Sequence, residues 1–345
     1  MAIIDKPTDH FETITYTGTG SSNAITELDF QPDWVWIKSR TAAEAHRLHD
    51  SVRGANKLLR THGTFAEATT SQDVMSFDSN GFTVGTETAV NNSGKNIVSW
   101  NWKAGTSFTN DASATGIGSF DSTGSVNTDA GFSVISYTGN GSGGATVAHG
   151  LGSVPYMYIV KRRNSTGNWH TYHVSNGANG EIRLNLAEAF FTTDIWQDTA
   201  PTSSVFSLGA SIDVNASGGT YIAYCFAEKQ GYSKFGSYTG NGSATDGTFV
   251  YTGFKPAFVM LKRTDGTASW YIYDNKRDVF NAMTRNLFPD GNYVEDNNTN
   301  NNLDFLSNGF KIRTTSGARN ASGGSYIYMA FAEQPLVGDN PATAR

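Results

Sequence analysis

The amino-acid sequence repeats one short pattern three times, in the same order and at nearly the same spacing. The triplet Tyr-Thr-Gly begins at Tyr16, Tyr137 and Tyr238, and a Pro-led apolar run follows each triplet and ends in a Lys that lies 22, 24 and 24 residues after the Tyr. A Ser-Gly pair before another apolar run then comes 55, 56 and 60 residues after that Lys. Self-similarity at a fixed period of about 100 residues indicates homologous modules. The sequence therefore predicts three of them.

The spacing of these landmarks sets the module boundaries. Module 1 is residues 1–105, module 2 is residues 129–230 and module 3 is residues 231–336. Residues 106–128 are rich in Ser, Thr and Gly and are interpreted as a linker, either flexible or with one edge strand, and residues 337–345 as a C-terminal tail. We expect each module to fold as a separate unit.

The run that follows each Ser-Gly pair alternates with a period of two, which is the period of a β-strand. One face is apolar in every module and is assigned to the core: Val98, Trp100 and Trp102; Ile222, Tyr224 and Phe226; Ile327, Met329 and Phe331. The other face is mixed and often small, so we expect it to be only partly covered. The Pro-led runs are apolar on both faces and predict fully buried strands.

Composition favours strands and turns over helices. There are 37 Gly and only 16% charged residues, while 12% of the residues are aromatic, which is enough apolar area to exclude a disordered chain. At most one short helix is expected, after Val52. The predicted fold class is all-β, with three tandem β-sandwich modules of the jelly-roll or lectin-like type.

Charge and hydropathy exclude several partners. The net charge is −6 and the basic residues form no stripe, which argues against nucleic acid. No stretch approaches 18 apolar residues, so membrane insertion is not expected. The N-terminal residues show no leader pattern, and the single cysteine, Cys225, cannot form an internal disulfide. We expect a protein folded in a cytoplasm.

Catalytic and metal-binding patterns are weak. His46 and His49 share their spacing with His170 and His173, but residues three apart on a strand face opposite sides, so neither pair converges on one ion. Glu228 and Glu333 recur at strand ends as single carboxylates, whereas glycoside hydrolysis needs two. We expect no enzyme activity, no metal and no cofactor.

Two groups of recurring side chains are candidates for contact with a glycan or a protein partner. One is aromatic, Trp169, Trp270 and Tyr273, because sugars stack on aromatic faces; the alternative is that they belong to the core. The other is the Lys that ends each Pro-led run, whose alternative role is to bring its charge to solvent. These lysines are Lys38, Lys161 and Lys262. The pairs Asp50 with Arg53, and Asp274 with Arg277, are interpreted as ion pairs that fix loops.

Three segments carry a family resemblance: residues 11–20, residues 32–40 together with His49-Asp-Ser-Val-Arg-Gly54, and residues 127–139. They resemble the repeat modules of tail-fibre-like and other virion appendage proteins of marine tailed bacteriophages. Modules 2 and 3 depart from the pattern, because they lack the Arg-Gly segment.

The resemblance implies a non-enzymatic structural protein of the virion, a tail fibre, an appendage or a head decoration, assembled in the cytoplasm of the host bacterium. It implies other virion proteins as partners and a homo-oligomer, for which a trimer is expected. Two alternatives stay open: an adhesin that binds host surface glycan, and a polysaccharide depolymerase.

Overall fold

The computed structural model of the chain describes residues 4–300, 302–339 and 341–342, so residues 340 and 343–345 of the expected tail lie outside the described residues. Strands hold 42% of the residues and helices 6%, which confirms the all-β class. None of the described helices is long and apolar enough to cross a membrane. The helical segments are a 3-10 turn (Pro7–Asp9), α1 (Thr88–Asn91), α2 (Ala112–Thr115), α3 (Ile212–Asn215) and α4 (Gly317–Asn320).

The strands follow the repeat. Module 1 contains β1 (Phe11–Thr17), β2 (Asn23–Ile25), β3 (Trp34–Ser39), β4 (Arg47–Asp50), β5 (Lys57–Leu58), β6 (Ala68–Thr69), β7 (Val74–Asp78), β8 (Gly81–Val84) and β9 (Asn96–Trp102). The next segment and module 2 contain β10 (Thr106–Asn110), β11 (Ser122–Asn127), β12 (Phe132–Thr138), β13 (Ala145–Ala148), β14 (Met157–Arg162), β15 (Trp169–His173), β16 (Gly180–Arg183), β17 (Phe191–Thr192), β18 (Val205–Leu208) and β19 (Thr220–Phe226). Module 3 contains β20 (Ser233–Thr239), β21 (Phe249–Tyr251), β22 (Phe254–Arg263), β23 (Tyr271–Asp274), β24 (Asn302–Leu306), β25 (Gly309–Arg313) and β26 (Ser325–Pro335).

Each module has one main antiparallel sheet with the same strand order. The order is β1-β9-β3-β4 in module 1, β12-β19-β14-β15 within the eight-stranded sheet of module 2, and β20-β26-β22-β23 in module 3. The strand after the Ser-Gly pair lies next to the Pro-led strand, as two buried strands of one sheet. A smaller sheet accompanies each main sheet: β2-β8-β7, β13-β18 and β21-β25-β24.

The three main sheets share one hydrophobic core. The faces assigned to the core by their period of two, with Trp100, Tyr224 and Met329 at their centres, belong to a single buried cluster. Trp34 stacks on Tyr224 of the next module with ring centroids 4.4 Å apart. Each main sheet is covered on this face by the other two. We therefore now predict that the modules fold together through this core, in place of the expectation that each folds as a separate unit.

The second face of each main sheet is buried as well, which corrects the expectation of partial cover. Ile97, Tyr221, Cys225 and Tyr326 are fully buried. They pack with the residues of the smaller sheets in three further clusters, one for each module. The main sheets lie between two cores, which explains why their strands are apolar on both faces.

Residues 106–128 are not a structureless linker. Strands β10 and β11 extend the main sheet of module 2, and β11 pairs along β12 from Ser122 opposite Tyr137 to Asn127 opposite Phe132. The expectation of at most one short helix, after Val52, is wrong about number and place: the described residues hold four short α-helices elsewhere, while the short strand β5 follows Val52.

Candidate functional site

The two tryptophans predicted for glycan or partner contact lie between modules of the same chain. The Trp169 indole N–H donates to the carbonyl oxygen of Arg60 in module 1, and the Trp270 indole N–H donates to that of Arg183 in module 2, both at 2.9 Å. Both rings belong to the shared core. Burial and a fixed hydrogen bond leave neither ring free to stack on a sugar.

The three recurring lysines, Lys38, Lys161 and Lys262, are also fully buried. Lys161 Nζ donates to the carbonyl oxygen of Gly167 at 2.8 Å and Lys262 Nζ to that of Ala268 at 2.5 Å. Lys38 Nζ donates to the carbonyl oxygen of Ser39 at 2.6 Å. Burial disfavours the charged form and lowers the pKa of each lysine to about 8.

Tyr273 is also buried and packs in the core of module 3. The surface predicted for glycan or partner contact is therefore not formed by these six side chains, because the fold uses them within and between modules. Pro-led strands that are buried on both faces carry inside even the lysine next to their last residue, where backbone carbonyl groups accept its hydrogen bonds.

The predicted ion pairs form, and each extends into a network across an interface. Arg53 Nε lies 2.5 Å from Asp50 Oδ2, and the same oxygen accepts a hydrogen bond from the hydroxyl of Tyr224 in module 2 at 2.7 Å. Arg53 also forms an ion pair with Glu67. Glu67 Oε2 in turn lies 2.8 Å from Nε of Arg163 in module 2. Burial would raise the pKa of Glu67, but the two guanidinium groups lower it. Charges of both signs are thus paired inside this interface.

The interface between modules 1 and 3 repeats the arrangement. Arg277 pairs with Asp274 at 2.6 Å, and the Trp100 indole N–H of module 1 donates to Asp274 Oδ2 at 3.0 Å. Glu295 bridges Arg277 and Arg40 of module 1, at 3.1 and 2.8 Å. In both interfaces an aromatic side chain of one module donates to the buried Asp of the other: module 2 donates to module 1, and module 1 donates to module 3.

In the third interface, between modules 3 and 2, the position equivalent to Asp50 and Asp274 is occupied by His173, which makes an uncharged contact. His173 Nε2 lies 3.1 Å from the carbonyl oxygen of Tyr328. Its Nδ1 accepts the backbone N–H of Ser175 at 3.2 Å, so the ring donates from Nε2. Burial lowers the pKa of His173 to about 4, which fits a neutral ring.

The remaining candidates for chemistry are dispersed. Glu228 pairs with Lys234 at 2.6 Å and Glu333 with Lys255 at 2.8 Å. His46 Nδ1 accepts from the Trp36 indole at 2.7 Å, and His49 contacts the carbonyl oxygen of Ala55. Within the described residues, no three His, Cys, Asp or Glu side chains are grouped as a metal site would require.

In the part of the chain that the structure describes, the strand that ends in the Tyr-Thr-Gly triplet (β1, β12 or β20) has a neighbouring strand on both sides only in module 2. There β12 pairs with both β11 and β19, whereas β1 pairs with β9 alone and β20 with β26 alone among the described strands. An unpaired sheet edge presents backbone donors and acceptors to any chain that reaches it. The two open edges are therefore the candidate contact surfaces of this fold.

A groove of about 280 Å³ runs between the β1 edge and module 3. We call it the module 1–3 groove; its lining includes Phe11, Glu12, Thr13, Ala257, Asn275 and Glu333. Three of its polar atoms, Thr13 Oγ1, Asn275 Oδ1 and Glu333 Oε2, are buried and have no hydrogen-bond partner in the described part of the chain. Buried polar atoms normally have partners, so this groove is the strongest candidate for a binding site.

Sequence reasoning missed this groove, although the repeat contained a signal. The residue after the landmark Pro is Asp33 in module 1, Tyr156 in module 2 and Ala257 in module 3. Asp33 faces β11, where its Oδ1 accepts from Ser125 at 3.2 Å, while the small Ala257 lines the open groove. Comparing the three modules position by position would have singled out this site.

The fold defines an all-β protein in which three main sheets surround one core, and in which the outer edges of β1 and β20 have no paired strand among the described residues. The chain belongs to a family described as a domain of unknown function, DUF7483, whose model matches residues 6–335 and so spans all three modules. No curated protein and no solved structure matches it.

Proposed function

We propose that this chain is a non-enzymatic structural component of a bacteriophage particle, a tail fibre, an appendage or a head decoration, which works through contact surfaces. The observation that carries the proposal is the closed ring of three modules around one core. It makes one body whose recurring charged and aromatic side chains lie inside the fold, while the outer edges of β1 and β20 have no paired strand among the described residues.

The finer fold belongs to the same proposal. Each module is a small β-sandwich of the jelly-roll or lectin-like type, in which a main sheet packs on a smaller sheet. The shared core then holds the three sandwiches as one unit. The resemblance of residues 11–20, 32–40 and 127–139 to phage virion modules supports the assignment to a particle.

We further propose that the chain assembles in the infected bacterium as a homo-oligomer, with a trimer as the specific expectation, and contacts other virion proteins. Weak contacts gain avidity when a symmetric assembly presents several copies of the same surface together. The two open edges are the surfaces offered for such contacts.

Mass spectrometry of purified virions tests this proposal directly. We expect peptides of the chain in intact particles, at a constant ratio to the capsid protein. Absence from particles overturns the proposal. Release of reducing ends from host polysaccharide by the purified chain would instead identify a depolymerase, and selective binding on a glycan array would identify an adhesin.

A further inference from the structure

Module 2 shows how this fold closes a sheet edge. Strand β11 pairs antiparallel along β12 over six residues, Ser122–Asn127. Its Ser125 hydroxyl also bonds Asp33 of the neighbouring module 1 at 3.2 Å. An extended segment with short side chains thus fills the space between an outer strand and the adjacent module.

The corresponding edge of module 1 is open. The Gly18 N–H donates to the backbone carbonyl oxygen of Lys95, and the Lys103 N–H donates to that of His10. The backbone N–H and C=O groups of the even-numbered residues of β1 therefore point towards β9. The backbone groups of Phe11, Thr13 and Thr15 consequently point away from the sheet. In the described part of the chain these groups have no hydrogen-bond partner.

The groove beside this edge requires hydrogen-bond donors from its occupant. Thr13 is only 2% exposed, and its hydroxyl oxygen, Asn275 Oδ1 and Glu333 Oε2 can all accept. The carboxylates of Glu12 and Glu333 are each paired with a lysine, at 3.1 and 2.8 Å. The groove therefore holds balanced charge and offers acceptors, which suits the amides of an uncharged peptide.

We propose that the module 1–3 groove binds an extended, uncharged segment of a partner polypeptide with short side chains. The segment adds antiparallel to β1, as β11 adds to β12, and its backbone amides bond the outward groups of β1. Ala257 occupies in this groove the position that Asp33 occupies beside β11. The residue of the bound segment that lies opposite Thr13, equivalent to Ser125, therefore needs no hydroxyl group. The inference names the contact site of the proposed structural role and rests on that role for the source of the partner.

The probe is an acetylated, amidated, fluorescein-labelled peptide with the sequence of residues 122–128, titrated with the full chain and followed by fluorescence anisotropy. In β11 the amides of Thr123, Ser125 and Asn127 face β12. We expect saturable binding that weakens at least tenfold when the amides at the positions of Thr123 and Ser125 are N-methylated. N-methylation at the positions of Gly124 and Val126 should leave the affinity within twofold.

A matched pair of protein variants locates the site on β1. Thr15→Pro removes one outward N–H without touching the pairing with β9, whereas Thr15→Val keeps that N–H. We expect Thr15→Pro to weaken peptide binding at least tenfold and Thr15→Val to bind like the parent chain.

Three outcomes overturn the inference: no saturable binding at millimolar peptide, equal affinity for the two methylated peptides, or equal affinity of the two Thr15 variants. The last outcome would place the peptide elsewhere, for example on β12 in exchange for β11. Since the measurement uses only the purified chain, its result is independent of whether the chain is found in virions.

Discussion

The hydroxyl of Tyr224 in module 2 donates a hydrogen bond of 2.7 Å to Asp50 Oδ2 in module 1. Asp50 and Arg53 form an ion pair whose side chains are completely buried. Burial alone would lower the pKa of Arg53, but the charge of Asp50 raises it. Tyr224 thus completes the set of hydrogen bonds around a buried charge and joins two modules through it.

Tyr224→Phe should destabilise the whole chain by about 1–3 kcal/mol, because a buried carboxylate oxygen loses one of its donors. Tyr158→Phe is the matched control, since the Tyr158 hydroxyl is buried and has no hydrogen-bond partner in the described residues. Urea unfolding followed by tryptophan fluorescence measures both variants. An equal effect of the two substitutions would show that the bond across the interface does not contribute.

A fragment of residues 231–345 should fail to unfold cooperatively. In the full chain its Phe235, Phe258 and Phe331 contact Phe226, Trp102 and Phe11, at ring-centroid distances of 6.0, 5.8 and 5.0 Å. The isolated fragment exposes this face to water, so near-ultraviolet circular dichroism should show no fixed aromatic packing. A sharp melt with native-like aromatic signals would mean that module 3 folds without the shared core.

Ile222→Ala should lower the free energy of unfolding of the chain by about 2–5 kcal/mol, as truncation of a buried aliphatic side chain does. Because Ile222 lies in the shared core, the single transition of the entire chain should shift, and not that of module 2 alone. Ile212→Ala is the control, since that side chain is 66% exposed. A transition that splits into a shifted part and an unshifted part would contradict a common core.

Acid should destabilise the protein between pH 6.5 and 5 through its buried histidines. Burial lowers the pKa of His49 to about 3 and those of His149 and His173 to about 4, so below pH 6.5 the unfolded chain binds protons that the folded chain does not. Each such histidine lowers the free energy of unfolding by up to about 1.4 kcal/mol per pH unit as the pH falls from 6.5 towards 5.

His173→Gln tests one of these contributions. Its free energy of unfolding should fall less steeply over that pH range than that of the parent chain, when both are measured by urea titration. His170 should not contribute there: burial lowers its pKa, but Asp213 and Glu181 raise it overall, so its stabilisation is fully present below pH 6.5 and is lost at higher pH. An unchanged slope for His173→Gln would contradict a neutral, buried His173.

Ser136→Pro should cost at least about 1 kcal/mol more than Thr15→Pro, because only the first removes an N–H that pairs with a neighbouring strand. Ser136 stands opposite Thr123 of β11, whereas the outward amide of Thr15 has no partner in the described residues. The two residues occupy equivalent positions in their modules. Thermal unfolding of both variants measures the difference, and equal melting temperatures would show that β11 contributes little to module 2.

The repeat by itself determined much of the fold. The period of two around Trp100, Tyr224 and Met329 identified the central strand and one of its buried faces, and the spacing of Asp50 and Arg53 indicated their ion pair. These features are local: alternation and short spacings depend only on the geometry of a strand or a turn, which the sequence carries directly.

Only the tertiary structure decided what covers each face. An apolar face reads the same whether a second sheet of its own module or a neighbouring module packs on it, so the shared core could not be derived from alternation. The same holds for Trp169, whose indole N–H bonds Arg60 of module 1, and for Lys161, which contacts Thr64 of module 1 as well as Gly167 of its own module. The open edge of β1 became visible only beside the covered edge of β12, because a strand's pairing depends on which chain segment reaches it in space.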